Sequence, residues 1–373
     1  MTAPADAATG TGAVRLRRVR ALDPDTVDRW WALAERAAEP NPFAAPGVVR
    51  AAAAHLPGGD RALLLTVEHA GRMVFALPVV REPATVRRPF PVLSAWQAYF
   101  PPLATPLLDA PHAVAAWRMV RAGMGAVWLD VEPMAADGPV AAALAEAAGD
   151  TVRTLERAER AVAFRDGARI RVSAKTRRSL EARRRGLGEA IGAEPVTFRV
   201  DPGEPVPDGL VDRFLSLEAS GWKGRGGTAL ACDPATAAFF RDLTAAHAAR
   251  DGLQIVGVRC GDDLVAATVN LVCGDGLFFY KIAYDETYRT ASPGRILMAD
   301  NLDALAGDPS LTFADSCAAP GASLSNQMLR DRRTVARLIV PAAGTAADLV
   351  TGAALAARAA RHRLTRRTTA HDT

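Results

Sequence analysis

The chain has 373 residues, which is enough for two domains of ordinary size that each bury a core. Apolar residues make up 49% and charged residues 23% of the sequence, and these fractions exclude wholesale disorder and a fibrous repeat. The net charge is only +4, but residues 165–189 contain nine Lys or Arg against three Asp or Glu, so positive charge is concentrated there.

Location and metal content follow from simple patterns. No apolar stretch approaches the roughly 20 residues that span a bilayer, and the first residues lack the positive start and apolar centre of a signal peptide. We therefore expect a cytoplasmic protein without a membrane partner. The four cysteines form no Cys-x-x-Cys pair and stand at no metal-ligand spacing from the six histidines. Neither a disulfide framework nor a bound metal is expected.

The N-terminal part, residues 14–160, predicts a mixed unit of strands and helices. Periodicity predicts a strand at 14–22, helices at 26–38 and 47–55, a hairpin of 62–67 and 73–80, a strand at 91–98, a helix at 113–123, a strand at 126–131 and a helix at 140–147. Residues 161–194 form the next predicted segment, a strongly basic connecting helix with Ser173 as its N-cap and Gly192 at its end.

Residues 195–345 predict a second unit. The elements are a strand at 196–200, helices at 207–219 and 234–249, strands at 253–259, 264–272 and 277–284, a helix at 293–305, a strand at 311–314, a short helix at 326–330 and a strand at 335–340. The order is β-α-α-β-β-β-α-β-α-β. Residues 346–373 remain as a C-terminal helix and basic tail.

Lys281 interrupts the apolar run at 277–284, which is typical of a strand buried on both faces. An ammonium group taken out of water pairs with an anion or loses its proton, so we expect the pKa of Lys281 to be lowered. Strand alternation places Lys281 with Asp285 on one face and Tyr280 on the other. Asp285, about 13 Å from Lys281 along an extended strand, is expected to orient the following turn.

Glu218 lies on the apolar face of the helix at 207–219. A carboxylate there either pairs with a cation or has a raised pKa, and both states suit a general base. Lys281 is the expected partner. A purely structural ion pair between Glu218 and Lys281 is the alternative.

The turn after the Lys281 strand opens a helix at Ser292-Pro293-Gly294. Pro293 suits a first helical turn, Gly294 permits close backbone approach, and Ser292 can cap the helix. The free amides of a helix start attract anions, and Arg289 and Arg295 can reach phosphate oxygens. We predict an anion site there, with Tyr288 in the same turn; the alternative is a well-capped helix without a ligand.

This element order and several short strings resemble the GNAT acyltransferase superfamily. Two such units in tandem resemble its FemAB-related, CelD/BcsL-like branch, over about residues 14–340. The strings are Pro40-Asn41-Pro42-Phe43, Lys175-Thr176-Arg177-Arg178, Glu218 with Gly221-Trp222-Lys223-Gly224, Tyr280-Lys281 with Tyr284-Asp285, Ser292-Pro293-Gly294 and Asp315-Ser316-Cys317. The resemblance implies an α/β (α+β) fold of two units, each a mixed, mostly antiparallel sheet flanked by helices.

The resemblance also implies an activity. The second unit would transfer an acyl group, typically acetyl, from acyl-CoA to an amine of a small-molecule or saccharide-like acceptor by direct attack. Glu218, Lys281 and Asp285 would be catalytic, and the anion site at 288–295 would hold the coenzyme A pyrophosphate. Acceptor contacts would come from Trp222, Lys223, Tyr280 and Asp315. We expect a monomer or homodimer.

Two alternatives stay open at this point. The usual acyl-CoA string Arg/Gln-x-x-Gly-x-Gly/Ala is absent from this turn, and the Fem relatives use an aminoacyl-tRNA donor to form an amide bond. The basic helix would then attract tRNA phosphates, although a solvated helix face is the more common meaning of such charge. The second alternative is a non-catalytic binding module in which Lys281 and Glu218 only hold the fold together.

Overall fold

The computed structural model describes residues 12–86, 88–96, 102–165, 174–319 and 321–369. Its strands are β1 (Ala13–Arg18), β2 (Leu63–His69), β3 (Arg72–Glu82), β4 (Val92–Ala95), β5 (Leu107–Leu108), β6 (Trp128–Ala135), β7 (Arg153–Phe164), β8 (Pro195–Val200), β9 (Leu253–Cys260), β10 (Asp263–Cys273), β11 (Gly276–Tyr284), β12 (Phe313–Asp315) and β13 (Asp331–Pro341). Its α-helices are α1 (Pro24–Glu35), α2 (Pro46–His55), α3 (Ala113–Gly123), α4 (Pro139–Ala148), α5 (Ala174–Ile191), α6 (Leu210–Ser220), α7 (Trp222–Arg225), α8 (Pro234–Ala248), α9 (Pro293–Gly307), α10 (Ser323–Met328) and α11 (Thr345–Thr369).

In the described parts of the chain, thirteen strands form one continuous mixed sheet. The order is β1-β2-β3-β4-β6-β13-β7-β12-β11-β10-β9-β8, with β5 paired to β3. All pairings are antiparallel except β4 with β6 and β11 with β12. The predicted α/β fold class, a mostly antiparallel sheet flanked by helices, is confirmed.

Strand β13 joins the two parts of the sheet. It comes last of the strands in the chain, yet it lies between β6 and β7 and pairs antiparallel with both. The strands β1 to β6 and the strands β7 to β12 are therefore joined into one sheet through β13. The division into units at 14–160 and 195–345, with a C-terminal segment at 346–373, stays a prediction.

The predicted basic helix is present as α5, but the segment at 161–194 assigned to it begins within a strand. Residues 161–164 are the end of β7, a twelve-residue strand that the sequence did not predict, and the helix α5 begins at Ala174. Alternating charged side chains give the first part of β7 little apolar signal, and only its end is buried. The proposed N-cap, Ser173, lies outside the described residues.

Two layers of helices cover the C-terminal part of the sheet and place β11 between them. On one face, aromatic side chains pack around the middle of the sheet, with Phe43 centred 5.4 Å from Tyr280 and Phe214 stacked 5.5 Å from Phe240. On the other face, residues of α5 and α9 pack against the sheet in a second cluster. Burial on both faces explains why β11 is almost wholly apolar.

Candidate active site

Strand β11 contains a β-bulge next to Lys281. Val269 of β10 faces Lys281 and Leu271 faces Phe278, so that two residues of β11, Phe279 and Tyr280, stand opposite one residue of β10. The bulge breaks strict alternation. The Lys281 Nζ atom therefore lies 5.0 Å from the centre of the Tyr280 ring, and the expectation that these two side chains occupy opposite faces is wrong.

Beyond the bulge, β11 loses its neighbour on one side. Strand β12 runs parallel to β11 for three residue pairs only, from Gly276 with Phe313 to Phe278 with Asp315, whereas β11 continues to Tyr284. After β12 the chain turns at Cys317, which has a φ of +53°. We call the opening between residues 279–284 of β11 and the chain that leaves β12 the β11 notch. In the part of the chain that the structure describes, no further strand pairs with this edge of β11.

Glu218 is buried beside the notch, with 4% of its surface exposed. Its Oε1 atom accepts a hydrogen bond from Lys223 Nζ at 2.7 Å, and its Oε2 atom accepts one from the Leu230 backbone N–H at 2.8 Å. Lys223 Nζ also lies 3.4 Å from the Ile282 carbonyl oxygen at the edge of β11. The sequence had proposed Lys281 as the ion-pair partner of Glu218; the close pair in the structure is Glu218 with Lys223.

Lys281 is half-buried, and its environment explains its ionisation. Burial lowers the pKa of Lys281 to about 8, the carboxylate of Glu218 acts in the opposite direction, and the ammonium of Lys223 lowers it further. The lowered pKa agrees with the expectation from the sequence. With this pKa, about a tenth of the amine is neutral at pH 7.

Asp285 and Asp315 are occupied by other contacts. The Asp285 carboxylate accepts the Thr287 N–H at 2.9 Å and caps the turn after β11, as the sequence had suggested for its orienting role. Asp315 is fully buried, accepts the Cys317 N–H at 2.8 Å and lies 3.4 Å from Arg333 Nη1. Both carboxylates thus fix the backbone at the two sides of the notch.

The start of α9 forms the proposed anion site. Ser292 precedes the helix in the left-handed conformation with a φ of +53°, and its side chain makes no capping hydrogen bond. Its hydroxyl instead accepts a hydrogen bond from Arg183 Nη1 of α5 at 2.5 Å, so the expected capping role of Ser292 is wrong. Arg295 reaches Gln327 of α10, and Arg289 is exposed. Three arginines therefore surround this helix start, one of them from the basic helix.

The three other predicted residues of this turn complete the site. Pro293 occupies the first position of α9 and is buried. A Cβ atom on Gly294 would lie 3.4 Å from Leu324 and 3.7 Å from the Tyr284 ring, which is ordinary contact. Tyr288 packs against the cluster formed by α5, α9 and the sheet. The anion site and the β11 notch are thus joined through Tyr284.

The loop that follows α6 covers the notch from the other side. Trp222 is 60% exposed, and its backbone N–H donates to Glu286 Oε1 at 2.8 Å. Arg225 also pairs with Glu286. A cavity of about 30 Å³, large enough for a water molecule, lies between Glu218, Trp222, Lys223, Ile282, Tyr284 and Glu286.

One segment of the chain is similar to a known family. Residues 174–317 match the family model described as an acetyltransferase (GNAT) domain. Below, the GNAT domain denotes this matched segment. It runs from α5 to the turn after β12 and contains the β11 notch, Glu218, Lys281 and the start of α9. No curated protein gives a sequence match to the chain.

Solved structures with a similar fold span nearly the whole chain. The C-terminal domain of a putative lysylphosphatidylglycerol synthetase from Agrobacterium fabrum is 14% identical with a TM-score of 0.52, and the match covers 88% of this chain and 95% of that one. FemX is 8% identical with a TM-score of 0.54 and coverage of 84% and 95%. A protein of unknown function from Bacteroides thetaiotaomicron is 9% identical with a TM-score of 0.53 and coverage of 88% and 100%. At these identities the likeness shows the fold alone.

Sequence inspection missed the contacts of Lys223 and Glu286 in the GNAT domain. For Lys223 a signal was present in the composition: of the 45 Lys and Arg residues in the chain only three are lysines, at positions 175, 223 and 281. Two of the three lie at the notch. Glu286 carried no such signal, because its contacts depend on how the loop at 221–229 folds back over the turn after β11.

Within the described residues, no cluster of three or more His, Cys, Asp or Glu could hold a metal ion. The same residues include no helix with the length and apolar character needed to cross a membrane.

Proposed function

We propose that the protein is an N-acyltransferase that moves an acyl group, typically acetyl, from acyl-CoA to an amine of a small-molecule or saccharide-like acceptor. The observation that carries this proposal is the β11 notch within the GNAT domain. There an edge of β11 that pairs with no strand of the described residues stands beside a half-buried lysine and a buried carboxylate. Groups of this kind gather at catalytic sites because proton transfer needs perturbed pKa values.

Each part of the site has a task in direct transfer. The start of α9, with Arg289 and Arg295, would bind the pyrophosphate of the donor through backbone amides and guanidinium groups. The thioester would lie along the edge of β11, where backbone N–H groups stabilise the negative charge that develops on its carbonyl oxygen. The acceptor amine would enter from the side of Trp222 and Tyr280, next to Glu218 and Lys281.

Donor binding tests the first half of the proposal. Isothermal titration with acetyl-CoA should give saturable binding to the wild type, and Arg289→Gln together with Arg295→Gln should weaken it by about tenfold or more, because each removes a phosphate contact. Arg259→Gln is the matched control, since Arg259 is an exposed arginine on β9 of the same domain. Equal affinity in all variants would remove the α9 start from the donor site.

Turnover tests the second half. Release of coenzyme A from acetyl-CoA in the presence of a panel of amines should be lost in Lys281→Met while the variant stays folded. A folded wild type that binds acetyl-CoA yet transfers to no amine would favour the non-catalytic binding module instead. In that case Lys281→Met should not change the affinity for acetyl-CoA.

A second candidate is a Fem-like aminoacyltransferase that uses aminoacyl-tRNA. The observation that favours it is α5, whose exposed residues Lys175, Arg177, Arg178 and Arg185 extend the positive charge beyond Arg183 at the start of α9. Contacts to nucleic acid phosphates weaken steeply with salt. Charged tRNA and acetyl-CoA should therefore be titrated into one preparation at several salt concentrations. Saturable acetyl-CoA binding that changes little with salt, without tRNA binding, would exclude this candidate.

A further inference from the structure

Only three of the basic residues in the chain are lysines, and all the others are arginines. Arginine keeps its charge at every pH that a protein experiences, whereas a buried lysine can lose its proton and act as a base. Lys175 is exposed on α5, but Lys223 and Lys281 both lie at the β11 notch. In a chain with 45 basic residues, two of the three lysines occupy one site.

Glu218 is poorly arranged to take up a proton. Both of its carboxylate oxygens accept hydrogen bonds, one from the Lys223 ammonium and one from the Leu230 amide. Both oxygens are therefore already engaged by neighbouring donors, and these contacts hold the Glu218 side chain in place beside the notch.

Lys281 occupies the position that a proton acceptor needs. The bulge in β11 turns its side chain to the same face as Tyr280, at the start of the strand edge that has no strand partner. Charged groups face it from three other segments: Glu218 of α6, Lys223 of α7 and Cys317 after β12, which in turn lies in the field of Asp315, Arg160 and Arg333. Burial is the largest influence and favours the neutral amine, whose pKa is about 8.

We propose that Lys281 is the proton acceptor of the transfer reaction, and that Glu218 and Lys223 form a fixed ion pair that positions and tunes it. This assignment rests on the proposed function and changes the division of roles expected from the sequence, in which Glu218 took the proton. Lys281 is then a catalytic residue, whereas Glu218 and Lys223 are positioning residues.

The step balances without a further reactant. The acceptor nitrogen forms a bond to the thioester carbonyl carbon, and neutral Lys281 takes the proton that the nitrogen then carries. The carbon–sulfur bond breaks and its electron pair leaves with sulfur. The Lys281 ammonium gives its proton to the thiolate, so that the products are an amide and free thiol and Lys281 returns to its neutral form.

Competitive labelling measures Lys281 without any knowledge of the acceptor. Reaction with trace acetic anhydride between pH 6 and 11, followed by peptide mass spectrometry, reports the neutral fraction of each lysine, and the chain contains only three. Lys281 should titrate near pH 8, and the exposed Lys175 serves as the internal reference for labelling.

The pair variants should move this titration in opposite directions. Lys223→Met removes a like charge and leaves Glu218 to attract the Lys281 ammonium, so the midpoint of Lys281 should rise by about one unit. Glu218→Gln removes the attracting anion, so the midpoint should fall. Lys223→Arg, which keeps the pair with Glu218, should leave it in place. Unchanged midpoints in both Lys223→Met and Glu218→Gln would overturn the tuning role of the pair.

Turnover with acetyl-CoA and the best amine of the panel tests the catalytic role. Lys281→Arg keeps the positive charge but cannot accept a proton, so it should lose at least about 100-fold in kcat. Glu218→Gln should retain part of the turnover, with a pH optimum displaced downwards. An active Lys281→Arg together with an inactive Glu218→Gln would restore Glu218 as the base. If the proposed function itself fails, the wild type shows no transfer, while the labelling result still stands.

Discussion

Two groups of buried charges lie near the middle of the sheet, and they are built from different residues. The first is the notch group, Glu218, Lys223 and Lys281. The second, which we call the central ion cluster, consists of Glu39, Arg160, Asp315 and Arg333. In the cluster, Arg333 bridges Glu39 Oε1 at 2.9 Å and Asp315 Oδ2 at 3.4 Å, and Arg160 lies 3.8 Å from Asp315.

The two groups differ in balance and in surroundings. The central ion cluster contains two arginines and two carboxylates, and its strands β7, β12 and β13 have strand neighbours on both sides. The notch group contains two lysines and one carboxylate and lies at an edge of β11 that, among the described residues, pairs with no strand. Arginine cannot change its protonation state, whereas lysine can. Burial of charge by itself therefore does not mark a site; a titratable cation at an open strand edge does.

Among the substitutions that remove a buried cation, the largest loss of stability is expected in the central ion cluster. Arg333→Met leaves the buried carboxylates of Glu39 and Asp315 without their shared partner and should cost about 3–5 kcal/mol in urea unfolding at pH 7. Burial already raises the pKa of Glu39 against the effect of Arg333. The loss should therefore be smaller at pH 5, where protonation of Glu39 removes buried negative charge.

Arg337→Met, four residues later on β13, is the matched control. The Arg337 side chain is 22% exposed and pairs with Asp130 at 2.7 Å beside a surface groove. Its loss should cost about 1 kcal/mol or less. Equal losses in the two variants would show that the burial of the cluster has no energetic consequence.

Much of the fold could be predicted from the sequence because burial on both faces leaves a strong pattern. The predicted strands at 253–259, 264–272 and 277–284 agree with β9, β10 and β11 within about one residue at most ends. Strand β7 was missed because charged side chains alternate through most of its length. The insertion of β13 between β6 and β7 is a long-range pairing that no local pattern encodes.

In the site, residue types were easier to predict than contacts. A lysine in an apolar strand and a glutamate on an apolar helix face stand out locally, and the structure brings both to the notch. The bulge that turns Tyr280 towards Lys281 depends on the register with β10. The pair of Glu218 with Lys223 depends on the short helix α7, which folds Lys223 back over α6. The register is a long-range feature, and the break between α6 and α7 leaves no signal in the hydrophobic periodicity.

Lys281→Met removes a cation from the notch and should stabilise the protein, in contrast to Arg333→Met. The pKa of Lys281 is lowered from 10.5 to about 8 in the folded protein, so folding opposes its protonation. Below pH 8 the lowered pKa reduces the free energy of unfolding by its full amount. This destabilisation declines as the pH rises from 8 towards 10.5, because the unfolded chain then also loses the proton. Lys281→Met should therefore stabilise the protein at pH 7 by about 1–3 kcal/mol.

Urea unfolding of wild type and Lys281→Met at pH 7, 9 and 10 measures this effect, and the difference should shrink at each step. The contact of the Lys281 ammonium with the Tyr280 ring is lost in the variant and offsets part of the gain. A destabilised Lys281→Met at pH 7 would place Lys281 with the arginines of the central ion cluster, as a structural cation.

The smallest effect on stability is expected at the exposed edge of the notch. Trp222 is 60% exposed, so Trp222→Ala should change the free energy of unfolding by less than about 0.5 kcal/mol. If Trp222 contacts the acceptor, the same variant should raise KM for the amine by about tenfold, because aromatic anchors account for much of the binding energy at such sites. Its affinity for acetyl-CoA should stay unchanged, since the donor contacts lie at the start of α9.

Leu349→Ala provides the control. Leu349 is 74% exposed on α11, outside the GNAT domain, and its loss should change neither the free energy of unfolding nor KM for the amine. A KM that is unaffected in Trp222→Ala would mean that the exposed ring lies outside the acceptor path, and that the notch is entered from the side of Tyr280.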